Sequence, residues 1–399
     1  MTHAPHRHDV VVVGARCAGA ATARLLAARG YDVVLVDRAT MPSDTLSTHG
    51  LARGGVVQLN RWGLLDRLVA DGAPPIRTVA FATAGGTMRR AVKDRAGVDF
   101  LLAPRRHRID TLLVEEARTA GADVRLGTTA GAVLRDDRGR VVGVEVATRA
   151  GSPTSLLARH VVGADGLRSA MASAFGARTL RTFRTGATIF YAYVAQVPWD
   201  AFEFHVSDQA FAGVFPTQDG QACVWLSRPD ERYEAVRRAP GADRARAWQD
   251  MLEAAAPDLG RRVHEGRITS PVRGCIDPPN YLREAWGEGW SLVGDAGYHR
   301  DPITGHGMTD AFRDAELLAD ALDLTLRGDA PEAVALAAYQ KSRDQAVADI
   351  FRLTRELARF PRLDRFMQLE IELAEVLDRE ATLLASRPAP AGTHATAVA

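Results

Sequence analysis

The apolar positions of this chain change their period along its length. Val10 to Val13 form an unbroken apolar run, which predicts a strand covered on both faces. A Gly-containing turn from Gly14 to Gly19 leads into the Ala/Leu-rich stretch Ala18 to Arg29, which reads as a helix closed by Gly30. Tyr31 to Val36 is apolar again and ends in Asp37 and Arg38, so residues 9–38 predict one strand–helix–strand unit. Helices are expected over Leu51–Trp62, Leu64–Val69 and Arg105–Ala120, the last from Ile109, Leu112, Leu113 and Ala117 at helical spacing. Val124–Leu126 and Leu156–Gly163 read as strands, and Ala132–Arg135 with Val141–Val146 as a hairpin.

Between 177 and 275 the pattern shifts. Aromatic residues concentrate there, and short alternating runs appear at 188–197, 202–206, 210–216 and 222–227. This predicts a largely antiparallel β-sheet domain inserted into the first. An apolar run at Trp290–Gly294 returns the chain to the first domain, and beyond Pro331 the pattern is helical to about residue 385. The expected fold class is therefore α/β. Residues 1–176 and 276–330 would form a Rossmann-like domain, with some strands in 70–105 lent to the second domain at 177–275. Residues 331–385 would be C-terminal helices, and the Pro/Ala-rich segment 386–399 a disordered tail.

Four segments carry candidate chemistry. Gly14-Ala-Arg16-Cys17-Ala18-Gly19 is a strand-to-helix turn in which Gly14 allows a tight bend and Gly19 close helix–strand packing. Asp37, at the end of the next strand, suits a ribose hydroxyl pair. Arg16 stands where a dinucleotide turn wants glycine, so its side chain must point away from a pyrophosphate or engage it. Asp165-Gly166 follows an apolar strand; alone, Asp165 reads as a helix N-cap. Pro104-Arg105-Arg106-His107-Arg108-Ile109-Asp110 puts positive charge at a helix start, which is unfavourable unless an anion lies near. Gly294 to Asp314 reads as strand, acid, irregular loop and helix: Asp295 ends the strand, Pro302, Gly305 and Gly307 shape the loop, and Thr309 or Asp310 is expected to cap the helix.

The bulk numbers narrow the class. A net charge of +1 gives no electrostatic case for nucleic acid. The three cysteines form no CxxC, which fits a reducing cytoplasm and predicts neither disulfides nor a metal site. No apolar run reaches the length of a membrane span, and the histidine-bearing N-terminus reads as a frayed tail.

In this order and spacing, over roughly residues 9–350, the motifs resemble the class A flavoprotein monooxygenases, the para-hydroxybenzoate hydroxylase-like group. The resemblance implies a GR2-type FAD-binding domain. Gly14, Ala18, Gly19, Asp37, Arg106 and Asp295 would contact FAD, with Arg16, Arg38, Gly294, Met308 and Thr309 beside them. Asp165 and Gly166 would serve FAD and NAD(P)H, and Pro302, Gly305 and Gly307 would line the flavin ring. It also implies that NAD(P)H reduces FAD, that dioxygen adds at flavin C4a, and that the C4a-hydroperoxide hydroxylates a small aromatic or polyketide-like substrate. A catalytic base is optional in such chemistry; His49, Tyr191, Tyr193 and Tyr298 are the candidates, ahead of His205 and His299. Tyr298 and Thr309 depart from the residues common in the group. Alternatives are a reductase similar to the geranylgeranyl-reductase group, a flavin-dependent halogenase, disfavoured because no Trp-x-Trp-x-Ile-Pro segment is present, and a non-catalytic dinucleotide-binding regulator. Homodimerisation is left open.

Overall fold

The computed structural model describes residues 6–149 and 151–392. Strand Arg7–Val13 lies at the centre of a sheet, paired in parallel with Val33–Asp37 on one side and Thr154–Gly163 on the other. Asp123–Leu126 extends the parallel order beyond the second strand, and Trp290–Leu292 beyond Thr154–Gly163. Successive side chains of a strand face opposite ways, so an all-apolar run needs two covers. Val10 and Val12 pack under helices Cys17–Ala27, Arg106–Thr119 and Gly307–Arg327. Val11 and Val13 pack against the antiparallel strand Val141–Thr148 and the short helix Ala170–Phe175. The parallel strands share one direction, so Gly14, Asp37, Ala164 and the segment after Leu292 all lie at the same edge. Ligands of open parallel sheets bind in that crevice.

The second sheet runs in the order Arg267–Ile268, Ala187–Ala195, Ala222–Pro229, Ala210–Pro216, Phe202–Ser207, Thr78–Thr83 and Gly86–Ala91. It too is apolar on both faces. Tyr191, Tyr193, Phe211, Phe215 and Trp225 share one face with Phe366, Leu369 and Leu373 of helix Leu363–Ser386. Phe190, Ala192, Val194, Val224 and Leu226 pack on the other face with Trp248, Leu252 and Leu259. These last belong to helices Gly241–Ala255 and Pro257–Glu265, which the sequence reading of 177–275 had left out.

Three expectations need correction. The long helix after the Gly/Pro loop starts at Gly307 with His306 at its N-cap, so neither Thr309 nor Asp310 caps it. The expected tail is anchored as far as it is described: Arg387 pairs with Glu316 (3.1 Å) and Asp320 (2.8 Å), and the Pro388 carbonyl accepts from Arg61 at 2.5 Å. Residues 393–399 lie outside the described residues. At the other end His6 and His8 both reach Asp32, at 2.8 and 2.9 Å, while residues 1–5 of the expected frayed tail lie outside the described residues.

Helix Glu332–Leu357 is fastened to the parallel sheet through its first residue. Glu332 pairs with Arg140 and with His160 at 3.1 Å, and accepts from the Gly289 N–H at 3.3 Å. Burial alone would raise the Glu332 pKa, but these partners overcome it and hold the group at about 2. Burial pushes the His160 pKa down, so the imidazole is neutral at pH 7 and Arg140 carries the opposing charge. A carboxyl whose pKa falls on folding contributes its stability above the unfolded value and loses it as pH drops toward the folded one. Glu332→Gln is therefore expected to destabilise the protein at pH 7 by about 3 kcal/mol, and by about 2 kcal/mol less at pH 3. Urea unfolding of both proteins across that range checks it; a gap independent of pH would contradict the pairing.

Candidate cofactor and substrate site

Glycine is required where three strand ends meet. Gly14 has φ +110°, and a β-carbon there would lie 2.3 Å from the Ala164 carbonyl oxygen. One on Gly19 would lie 1.7 Å from the Gly14 oxygen, and one on Gly294 (φ +60°) 2.7 Å from the Ala18 β-carbon. The Gly-rich turn, the Ala164-Asp165 segment and the Gly294-Asp295 segment thus form one close-packed floor.

The acids on that floor are held differently. Asp37 accepts from the Ala15 and Ala39 N–H groups, both at 2.7 Å, which leaves lone pairs on each oxygen for hydroxyl groups. Arg38 beside it is exposed. Asp165 accepts from Ser169 (2.5 Å) and from the Met171 N–H (3.0 Å), so its carboxylate holds the start of helix Ala170–Phe175. Gly166 beside it has open space on its β-carbon side. Asp295 is exposed although Gly294 and Ala296 on either side are buried. A carboxylate turned outward from a buried turn at a strand end is available to a ligand.

The arginine-rich helix start has found internal anions. Asp110 is fully buried and accepts from Arg16 (2.7 Å), Arg106 (3.0 Å) and the Cys17 thiol (3.2 Å). Arg16 also donates to the Ser43 carbonyl and hydroxyl, both at 3.0 Å, which settles where its side chain goes. Burial would lower the Arg106 pKa, but Asp110 overcomes it and holds the guanidinium charged. Two guanidiniums share one carboxylate, so positive charge is left over beside the Gly-rich turn. Asp110 was not singled out from the sequence. The signal was present, an acid four residues after Arg106 on one helix face.

The Gly/Pro loop forms the far end. Asp301 accepts from the Ile303 N–H (3.0 Å) to cap a single turn over Pro302–Thr304, and Gly305 at φ +59° redirects the chain. No side chain caps the helix that follows, so its first N–H groups lack side-chain partners. Nothing lies within 4 Å of a β-carbon placed on Gly305 or Gly307. Met308 and Thr309 are buried instead, and Thr309 packs on Gly54 and Gly55.

Three of the four candidate bases meet beside this floor. His49, buried and at φ +42°, stacks on Tyr193 with ring centroids 5.4 Å apart and has its Nδ1 3.3 Å from the Tyr193 hydroxyl. The Tyr191 hydroxyl accepts from the Ser47 N–H at 3.2 Å. Arg105 lies 3.6 Å from the Tyr193 ring centre and pairs with Asp44 at 2.7 Å. Burial, reinforced by Arg105 and Arg106, pushes the His49 pKa down to about 3, and burial raises the pKa of both tyrosines. All three side chains are therefore uncharged at neutral pH, and His49 Nε2 has no partner. Tyr298 sits elsewhere, against Phe351 (5.7 Å), its hydroxyl buried without a partner.

A parallel sheet with glycines, acids and one spare positive charge at its carboxyl edge, joined to an aromatic-faced sheet, is the architecture of a dinucleotide-binding flavoprotein. The family described as FAD binding domain matches residues 7–354, and the chain belongs to it. It is an FAD-dependent oxidoreductase of the class A flavoprotein monooxygenase family. Digeranylgeranylglycerophospholipid reductase 2 of Methanopyrus kandleri is 28% identical, over 93% of this chain and 91% of that protein. Rifampicin monooxygenase of Rhodococcus hoagii is 28% identical, over 88% of this chain and 71% of its own length. The structure of PqsL from Pseudomonas aeruginosa superposes with a TM-score of 0.78 at 24% identity, over 92% of this chain and 100% of that one, which is a likeness of fold. Among the described residues no helix is long and apolar enough to cross a membrane.

Proposed function

We propose that this chain is an FAD-dependent, NAD(P)H-consuming monooxygenase that hydroxylates a small aromatic or polyketide-like substrate. One observation carries the reading. Arg105 stacks on Tyr193 of the aromatic sheet face, while its neighbour Arg106 pairs with Asp110 at the Gly-rich turn. The cofactor floor and the aromatic face meet across a single peptide bond.

FAD, when bound, supplies the transfer of electrons from NAD(P)H and the activation of dioxygen. The chain supplies position and charge. Asp37 and Asp295 would accept from hydroxyl groups of the cofactor, and Arg106 would face its phosphates. The backbone N–H groups of Gly307, Met308 and Thr309 would stabilise negative charge at the ring end. Tyr191, Tyr193, Phe211, Phe215 and Trp225 would hold the substrate body and exclude water. His49, kept neutral, offers Nε2 to a substrate hydroxyl while Nδ1 meets Tyr193.

A second reading has a specific observation behind it. The relative matched over 93% of this chain bears the name of a reductase. One experiment separates the two: the purified protein is mixed with NADH or NADPH and a phenol panel under isotopically labelled dioxygen. Hydroxylation requires a yellow, FAD-containing protein and a product that carries one labelled oxygen atom. A product that gains hydrogen and no label would favour the reductase, and a colourless protein that takes up no FAD would sink both.

A further inference from the structure

The mechanism above leaves one deeply enclosed carboxyl group without a role. Glu370 lies on helix Leu363–Ser386, one turn beyond Phe366 and one turn before Leu373. Both of those neighbours pack into the aromatic face of the second sheet, Phe366 with its ring 5.2 Å from that of Phe211. Farther along the same helix, Glu380 pairs with His306 and Arg313 at the start of helix Gly307–Arg327. Glu370 is about 6 Å along the axis from Phe366 and about 15 Å from Glu380, so it stands at the substrate end of this span.

Glu370 makes no hydrogen bond or ion pair among the described residues, and its Oε1 is buried. The residue as a whole is half-buried. Within the apolar cluster that Phe366 and Leu373 join, Trp225 Nε1 and the Tyr298 hydroxyl are also buried without partners. Buried polar groups are normally paired, so a carboxyl oxygen orphaned one turn from Phe366 and Leu373 is free for a ligand.

We propose that Glu370 is the specificity-determining residue of the substrate site and that it receives a basic nitrogen carried on an aromatic body. An unpaired buried carboxylate is costly, and an ammonium group is the partner that gains most from it. Among the described residues no cation pairs with it. Burial, acting alone, raises the Glu370 pKa to about 8, so the carboxyl is mostly protonated at pH 7 until a cation arrives. The ammonium nitrogen donates to the carboxylate, and the carboxyl proton leaves to solvent. The other titratable groups of the cluster stay silent: burial raises the pKa of Tyr191, Tyr193, Tyr298, Cys223 and Cys275. Burial also keeps the nearby His49 neutral. The proposal uses the flavoprotein reading only to place the substrate on this face.

The test is calorimetric titration of FAD-loaded protein and of Glu370→Gln at pH 7, in two buffers of different ionisation enthalpy. The probes are tyramine and tryptamine, with tyrosol and tryptophol as their neutral hydroxyl counterparts. At least one amine is expected to bind the wild type at least tenfold more tightly than its alcohol, with release of nearly one proton. Glu370→Gln is expected to lose both the preference and the release while its bound-flavin spectrum is unchanged. Amines that bind no better than alcohols, or not at all, would overturn the proposal, as would full amine preference in the variant. A wild-type protein that takes up no FAD would instead overturn the cofactor reading, whatever the titrations show.

Discussion

Arg313→Met is expected to destabilise the protein by about 3–5 kcal/mol, because it breaks a buried ionic network at its centre. Arg313 donates to Asp310, Asp314 and Glu380, each at 2.8 Å, and is itself buried. The three carboxylates do not suffer equally. Asp310 keeps Arg300 at 2.8 Å, and Glu380 keeps His306. Asp314 has no other ion pair among the described residues, and its second oxygen is already unpartnered. Burial already raises the Asp314 pKa in the intact network. Losing Arg313 removes a cation that opposes this rise, so the shift is larger in the variant. At about 2.1 cal/mol/K per residue, a 4 kcal/mol loss corresponds to a fall of about 5 °C in the thermal midpoint. Asp314→Asn in the same background removes the orphaned charge. The double variant is expected to be at least about 1 kcal/mol more stable than the sum of the single changes. Additive losses in thermal or denaturant unfolding would mean that Arg313 and Asp314 do not act as a pair. The network also fastens the first turns of helix Gly307–Arg327, so FAD affinity is expected to fall with stability.

The limits of the sequence reading follow from range. The unit from Val10 to Asp37 was legible because a strand buried on both faces leaves a continuous apolar run and a tight turn leaves glycine. The acids at its strand ends were legible for the same reason, since Asp37, Asp165 and Asp295 each follow an apolar run. Helices Gly241–Ala255 and Pro257–Glu265 escaped because nearby aromatic alternation pointed to strands. Trp248 and Leu252 have helical spacing, but the sheet face that needs them is formed by residues up to some 60 positions earlier. The basic cluster at Arg105–Arg108 showed that an anion was wanted. Asp110, four residues after Arg106, was within reach of the pattern, but Asp44 was not, because it lies 61 residues before the Arg105 it pairs with. Arg387, placed in the expected tail, is fixed by Glu316 and Asp320, a pairing that local composition does not encode.

Gly14→Val is expected to abolish FAD binding. The position combines two separate prohibitions. At φ +110° any side chain is strained by about 1–3 kcal/mol before it touches a neighbour. The first atom added would then meet backbone: the Ala164 oxygen at 2.3 Å and the Asp165 nitrogen at 3.0 Å. Backbone does not swing aside as a flexible side chain does. The Ala164 N–H also donates to the Val13 carbonyl at 2.8 Å, and the Gly14 N–H to the Val36 carbonyl at 2.8 Å, so relief requires parting neighbouring strands. Those are the strands that end in Asp37 and Asp165. Their displacement would spoil the floor even where the core still folds. A combined penalty of about 4 kcal/mol expressed in binding is a loss of about 1000-fold in FAD affinity, enough for the protein to purify colourless. Gly139→Ala separates conformational strain from the clash. Gly139 has φ +84° in a hairpin turn, with nothing within 4 Å of an added β-carbon. That variant is expected to lose only about 1–2 kcal/mol of stability and to keep its flavin. Wild-type FAD affinity in Gly14→Val would show that the turn is not where the cofactor sits, and the positive charge beside Arg106 would then need another anion.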